Sequence, residues 1–97
     1  MKDLQHKIAV CFGEHLKPSI EYWKGKGAWK RFLLEEAECE PDHSCANDYV
    51  DANMSMAAAF QEITGREPDV SSQPDTDLWN ESWSTFTLMV RNGEVKP

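Results

Sequence analysis

Long hydrophobic runs are missing from this 97-residue chain. No stretch approaches the roughly 18 apolar residues that a membrane-spanning helix needs. The first segment, "MKDLQHKIAVCFGEHLK", has only the short run from Ile8 to Gly13, with charge on both sides. It lacks the apolar centre of a secretory signal, so a soluble, cytoplasmic protein with no membrane partner is expected. A phosphate-binding loop is missing too: "GKG" at 25–27 has neither a strand before it nor the Lys-Ser/Thr pair after it. Cysteine is scarce and odd in number. Cys11, Cys39 and Cys45 cannot close a full disulfide framework, and a reducing compartment would keep them as thiols. There is no internal repeat and no low-complexity tract, and the length suits one domain over residues 1–97.

What is present is a sharp division of charge. Residues 1–34 carry seven basic and three acidic side chains, net +4, whereas residues 35–97 carry three basic and fourteen acidic ones, net −11. The halves can attract one another within a monomer or across a dimer, or the basic half can meet an acidic partner. Ten aromatic residues argue for a folded core rather than a disordered acidic chain.

The apolar spacing is helical nearly throughout. Leu4, Ile8, Cys11, Phe12 and Leu16 share one helix face, with Asp3 as a candidate cap and Pro18 expected to end or kink the helix. "PSIEYW" is ambiguous between helix and strand, and the two glycines of "KGKG" break any regular element. From Ala28 to Glu38 a helix returns, with Trp29, Phe32, Leu33 and Ala37 on one side; a β-hairpin near residues 20–34 is the competing assignment. "CEPDHSCAND" is a loop in which Asn47 or Asp48 can cap the next helix. Tyr49, Ala52, Met56, Phe60 and Ile63 mark that helix, and Gly65 stands where it should end. After the linker "EPDVSSQPD", Asp75 or Asp77 opens a last helix carrying Trp79, Trp83, Phe86 and Val90 and closed by Asn92-Gly93, although "TFTLMV" has strand character. The expected fold is all-α, a small bundle of about four helices, with α+β as the fallback. Its core should contain Leu4, Ile8, Phe12, Phe32, Leu33, Met56, Phe60, Ile63, Trp79, Trp83 and Phe86.

Candidate chemistry is sparse. Cys39, His43 and Cys45 are zinc-ligand types, but C-x3-H-x-C is a single knuckle where zinc modules use two, so a polar loop without metal is expected. Glu40-x-x-His43 contains Pro41 and has no second copy, which argues against a di-iron pair. Glu14 and His15 are adjacent and point to different sides of a helix. No catalytic residue and no cofactor follow from these patterns, and a non-enzymatic protein is expected.

The segment "WKGKGAWKR" stands apart. Trp23, Lys24, Lys26, Trp29, Lys30 and Arg31 combine rings with cations, a composition suited to single-stranded nucleic acid or to an acidic protein surface. Because the whole chain is acidic, a protein partner or a second copy of the chain is favoured over nucleic acid. Trp23 and Trp29 cannot both lie deep in so small a core, so one should be a binding anchor. Met54 and Met56 straddle two faces of their helix, and one of them should be exposed.

The phrases "DYVDANMSMAAAFQEITGRE" and "DTDLWNESWSTF" resemble short reading frames of mobile elements, of the phage and integron-cassette kind. That resemblance implies an accessory protein and assigns no residue a role.

Overall fold

A computed structural model of the chain describes residues 2–41 and 44–97. Four helices occur among the described residues: α1 (Lys2–Lys24), α2 (Ala28–Ala37), α3 (Val50–Thr64) and α4 (Gln73–Arg91), with a short 3₁₀ turn at Cys45–Asp48 before α3. They contain no strand, so the bundle expectation holds and the hairpin does not form.

α1 is the hub, packing against α3 and α4 most extensively and also against α2. It buries Ile8, Ala9, Cys11, Phe12, Leu16 and Ile20, a stripe that continues past Pro18. Of the two outcomes expected at Pro18, an end or a kink, the helix therefore does not end there. Proline removes one N–H and displaces the carbonyl of Glu14 one turn earlier, but Pro18 and Glu14 both face solvent, where water can satisfy that carbonyl. Burial of Leu16 and Ile20 on the opposite face carries the helix through. Asp3 lies within the first turn rather than before it, where its charge suits the positive end of the helix.

"KGKG" makes the corner between α1 and α2. Gly25 and Gly27 adopt φ of 95° and 86°, a region that side-chain-bearing residues rarely enter, so the two glycines reverse the chain directly. Glu21 secures the corner, with its carboxylate accepting from the Ala28 N–H at 3.1 Å.

α3 presents Ala52, Ser55 and Ala59 beside Met56 and Phe60 in its buried face, small residues that permit close helix approach. It ends as expected at Gly65, whose φ is 81° and whose N–H returns to the Gln61 carbonyl at 2.8 Å. It starts at Val50 with Tyr49 in the capping position, so neither Asn47 nor Asp48 caps it; Asn53 instead donates back to the Asn47 and Tyr49 carbonyls. Met56 is buried and Met54 is 67% exposed.

α4 begins at Gln73, with Ser72 as its cap residue, and runs through "TFTLMV" to Arg91 because Trp83, Phe86, Thr87 and Val90 keep the helical period on the buried side. Phe12, Trp83 and Phe86 form an aromatic centre, with ring centroids 4.9 and 4.7 Å from Phe12 in edge-on geometry. Of the expected core, Leu4 fails: it is 37% exposed, on the first turn of α1 where no neighbouring helix covers it fully. Ile63 and Trp79 are half-buried against the core.

Asp75 fastens the linker before α4. It is buried, and it receives both terminal nitrogens of Arg66, one at 2.6 Å, together with the Asp69 N–H at 2.9 Å. The Arg66 guanidinium, then the Asp69 amide, hold its carboxyl below the usual carboxylate value despite burial. A carboxyl whose folded pKa is lowered adds stability above its unfolded value, near 3.8, and loses that contribution as pH falls through the folded value. Melting of the wild type and Asp75→Asn across pH should therefore show the widest gap near neutrality, closing below the unfolded value. Parallel pH profiles for the two proteins would contradict this.

Candidate interaction surface

The basic segment lies at the end of α1, across the glycine corner and into α2. Trp23 is 68% and Tyr22 78% exposed, and their rings meet edge-on with centroids 4.9 Å apart. Lys24, Lys26, Lys30 and Arg31 all face solvent. Among the described residues none of the four pairs with an acidic side chain; Lys24 instead places Nζ 5.5 Å from the centre of the Tyr49 ring. A groove between α1 and α3 adjoins the patch, with Trp23, Ser19 and His15 on one wall and Met54, Asp51 and Ala58 on the other.

Trp29 separates from this group. It is 2% exposed, stacked on Phe32 at 5.5 Å, and its indole N–H donates to the Lys96 carbonyl at 3.3 Å. It is a core residue that holds down the segment after α4. Trp23 is left as the exposed tryptophan, joined by Tyr22, which sequence periodicity left between helix and strand.

The loop after α2 departs from expectation in its sulfurs. Cys39 and Cys45 form a disulfide, with Cα atoms 5.9 Å apart, so they are not the free thiols expected. An odd cysteine count excludes complete pairing but permits one bridge. The bond occupies two of the three weak metal candidates, and the third, His43, lies outside the described residues.

Close to the bridge, Glu36 is fully buried on α2. Its carboxyl group accepts from the Ser44 hydroxyl, from the Ala46 N–H at 2.9 Å and from the Thr87 hydroxyl at 2.7 Å. The position was legible: Glu36 follows Trp29, Phe32 and Leu33 at helical spacing on the same face.

A second polar cluster joins α1 to α3. The Cys11 thiol donates to Glu62 Oε2 at 3.1 Å, and His15 Nε2 donates to the same oxygen at 2.7 Å. His15, then Cys11, hold the Glu62 carboxyl below its usual value. Burial, followed by the adjoining carboxylate, pushes the Cys11 thiol up to about 12. The carboxylate stands between thiol and imidazole, the reverse of a nucleophile activated by histidine, so the thiol stays protonated and unreactive in this arrangement. Sequence reading placed Cys11 on the apolar face of its helix, where the structure buries it, and missed its partner.

No helix among the described residues is long and apolar enough to cross a membrane. Compared with family models, with curated proteins and with solved structures, the chain matches none.

Proposed function

We propose that this chain is a non-enzymatic accessory protein that docks an acidic protein surface, including that of a second copy of itself, through the pole formed by Tyr22, Trp23, Lys24, Lys26, Lys30 and Arg31. The observation that carries the proposal is two large exposed rings beside four cations without ion-pair partners among the described residues. Exposed Trp and Tyr are the side chains that most often anchor interfaces, because they bury much area at small entropic cost. The cations supply steering and orientation toward negative potential. Met54, beside Trp23 across the groove, adds an adaptable apolar contact. The surplus of acid over residues 35–97 makes a second copy a chemically suitable partner.

Single-stranded nucleic acid is the rival, since rings and cations also bind bases and phosphates. Sedimentation of the wild type, Trp23→Ala and the double variant Lys26→Glu/Lys30→Glu tests self-association. Titration with single-stranded and duplex oligonucleotides at about 50 and 200 mM salt tests the rival, because released counterions make phosphate binding fall steeply with salt. A complex weakened at least about tenfold by Trp23→Ala and by the charge reversal, with the fold retained, is expected. Monomers throughout, with oligonucleotide binding that collapses over that salt range, would put nucleic acid first.

A further inference from the structure

The joint between α1 and α3 brings a thiol, an imidazole and a carboxylate to one point, and the docking pole makes no use of them. Cys11 and His15 are four residues apart on α1 and so lie one turn apart on the same face, and Glu62 enters from α3. One ligand atom from each, the Cys11 sulfur, a His15 ring nitrogen and a Glu62 carboxylate oxygen, lies within 4.8 Å of the others. Two of these separations, 3.1 and 2.7 Å, are hydrogen bonds onto a single carboxylate oxygen.

We propose that Cys11, His15 and Glu62 form a zinc site with three protein ligands and a fourth position open to the groove between α1 and α3. The donor set matches the ion: sulfur, nitrogen and oxygen are the three atoms zinc takes from proteins, and no geometry is imposed by its filled d shell. Bonds of about 2.0–2.3 Å in a tetrahedron set ligand atoms roughly 3.3–3.8 Å apart, so the present hydrogen-bonded contacts need to open by about an ångström or less. His15 and Glu62 are half-exposed and have the rotamer freedom to do so, while Cys11 is fixed in the wall of the core. The metal takes the place of both hydrogen-bond protons: the Cys11 thiol proton passes to solvent and leaves a thiolate ligand, and the Nε2 proton of His15 leaves by exchange with solvent, so that the neutral ring coordinates through Nε2 and carries its proton on Nδ1. Of the three ligands His15 lines the groove, beside Ser19, Asp51 and Ser55 and the apolar Trp23, Met54 and Ala58, and it gives the site its opening on that side. Three protein ligands and one open position is the pattern of zinc sites that exchange a fourth ligand, in contrast to closed structural sites.

The test uses the full chain with the Cys39–Cys45 bridge intact, so that Cys11 is the only free thiol. Cobalt(II) replaces zinc as a spectroscopic probe, added under anaerobic conditions. One equivalent should produce the near-ultraviolet thiolate-to-cobalt band and the strong visible bands of a four-coordinate ion, and zinc should abolish both by displacement. Cys11→Ser should remove the thiolate band. Because Cys11 is buried, His15→Gln and Glu62→Gln, both at the surface, provide variants whose folding is not at risk. Each should weaken cobalt binding by at least about 10–100-fold, the loss typical when only a partner that orients a metal ligand is disturbed. Absence of a thiolate band at millimolar cobalt would overturn the proposal. So would a band that survives Cys11→Ser, or cobalt affinity unchanged in both surface variants.

Discussion

Replacing Glu36 with alanine should destabilise the protein by about 3–5 kcal/mol, because it leaves buried donors without acceptors. Three donors from three parts of the chain end on this carboxyl group: Ser44 from the loop, Ala46 from the 3₁₀ turn and Thr87 from α4. Their fates differ when it is removed. The Thr87 hydroxyl can turn to the Trp83 carbonyl, already 3.2 Å away on its own helix. Among the described residues the Ala46 N–H and the buried Ser44 hydroxyl have no such second acceptor, and each stranded donor costs about 1–3 kcal/mol. Glu36→Gln keeps an acceptor oxygen and should recover much of the loss. Urea unfolding of both variants measures the difference; a loss under about 1 kcal/mol for alanine would show that the loop supplies its own acceptors.

Phe12→Ala should have the largest effect of any single apolar truncation in the bundle. Phe12 is fully buried, and truncating such a ring costs about 3–5 kcal/mol in transfer and cavity terms. Its edge-on contacts with Trp83 and Phe86 add roughly 0.5–1.5 kcal/mol each beyond area burial. The sum approaches the lower part of the usual total stability of about 5–15 kcal/mol, so the variant should be partly unfolded at room temperature. Phe12→Leu, which fills most of the space, should remain folded and lose less than half as much. Denaturant titration of the leucine variant and circular dichroism of the alanine variant report the two outcomes. A cooperative transition near the wild-type midpoint for Phe12→Ala would remove Phe12 from the centre of the core.

The elements most legible in the sequence were those with both a stripe and a terminator. α3 has Ala52, Met56 and Phe60 followed by Gly65, and α4 has Trp83, Phe86 and Val90 followed by Asn92-Gly93. Pro18 left the length of α1 open, between an end and a kink, because proline's penalty depends on where the freed carbonyl points, and a one-dimensional pattern does not weigh a solvent-facing proline against buried Leu16 and Ile20 on the far side. Glu36 was overlooked because charge was equated with exposure, although its register placed it among Trp29, Phe32 and Leu33. The basic, aromatic pole was half legible. Its cations were found, but Trp29 was grouped with Trp23, although Trp29 shares the buried face of α2 with Phe32 and Leu33 while Trp23 stands exposed at the end of α1. Glu62 had no local signal: helical spacing states which residues share a face, but not which face of another helix will meet it. The disulfide is similar, since a count of cysteines says nothing about the path of the intervening loop.

The central position of α1 also bears on how the chain is made. Of these four helices the first to leave the ribosome is the one on which the others pack, and its buried ring, Phe12, finds its aromatic neighbours Trp83 and Phe86 in α4. A nascent chain that has emerged as far as α2 holds an apolar helix face with little to cover it, and α3 covers only part. Stable folding during synthesis must therefore wait until α4 has cleared the exit tunnel, and until then the stripe from Ile8 to Ile20 is open to chaperones.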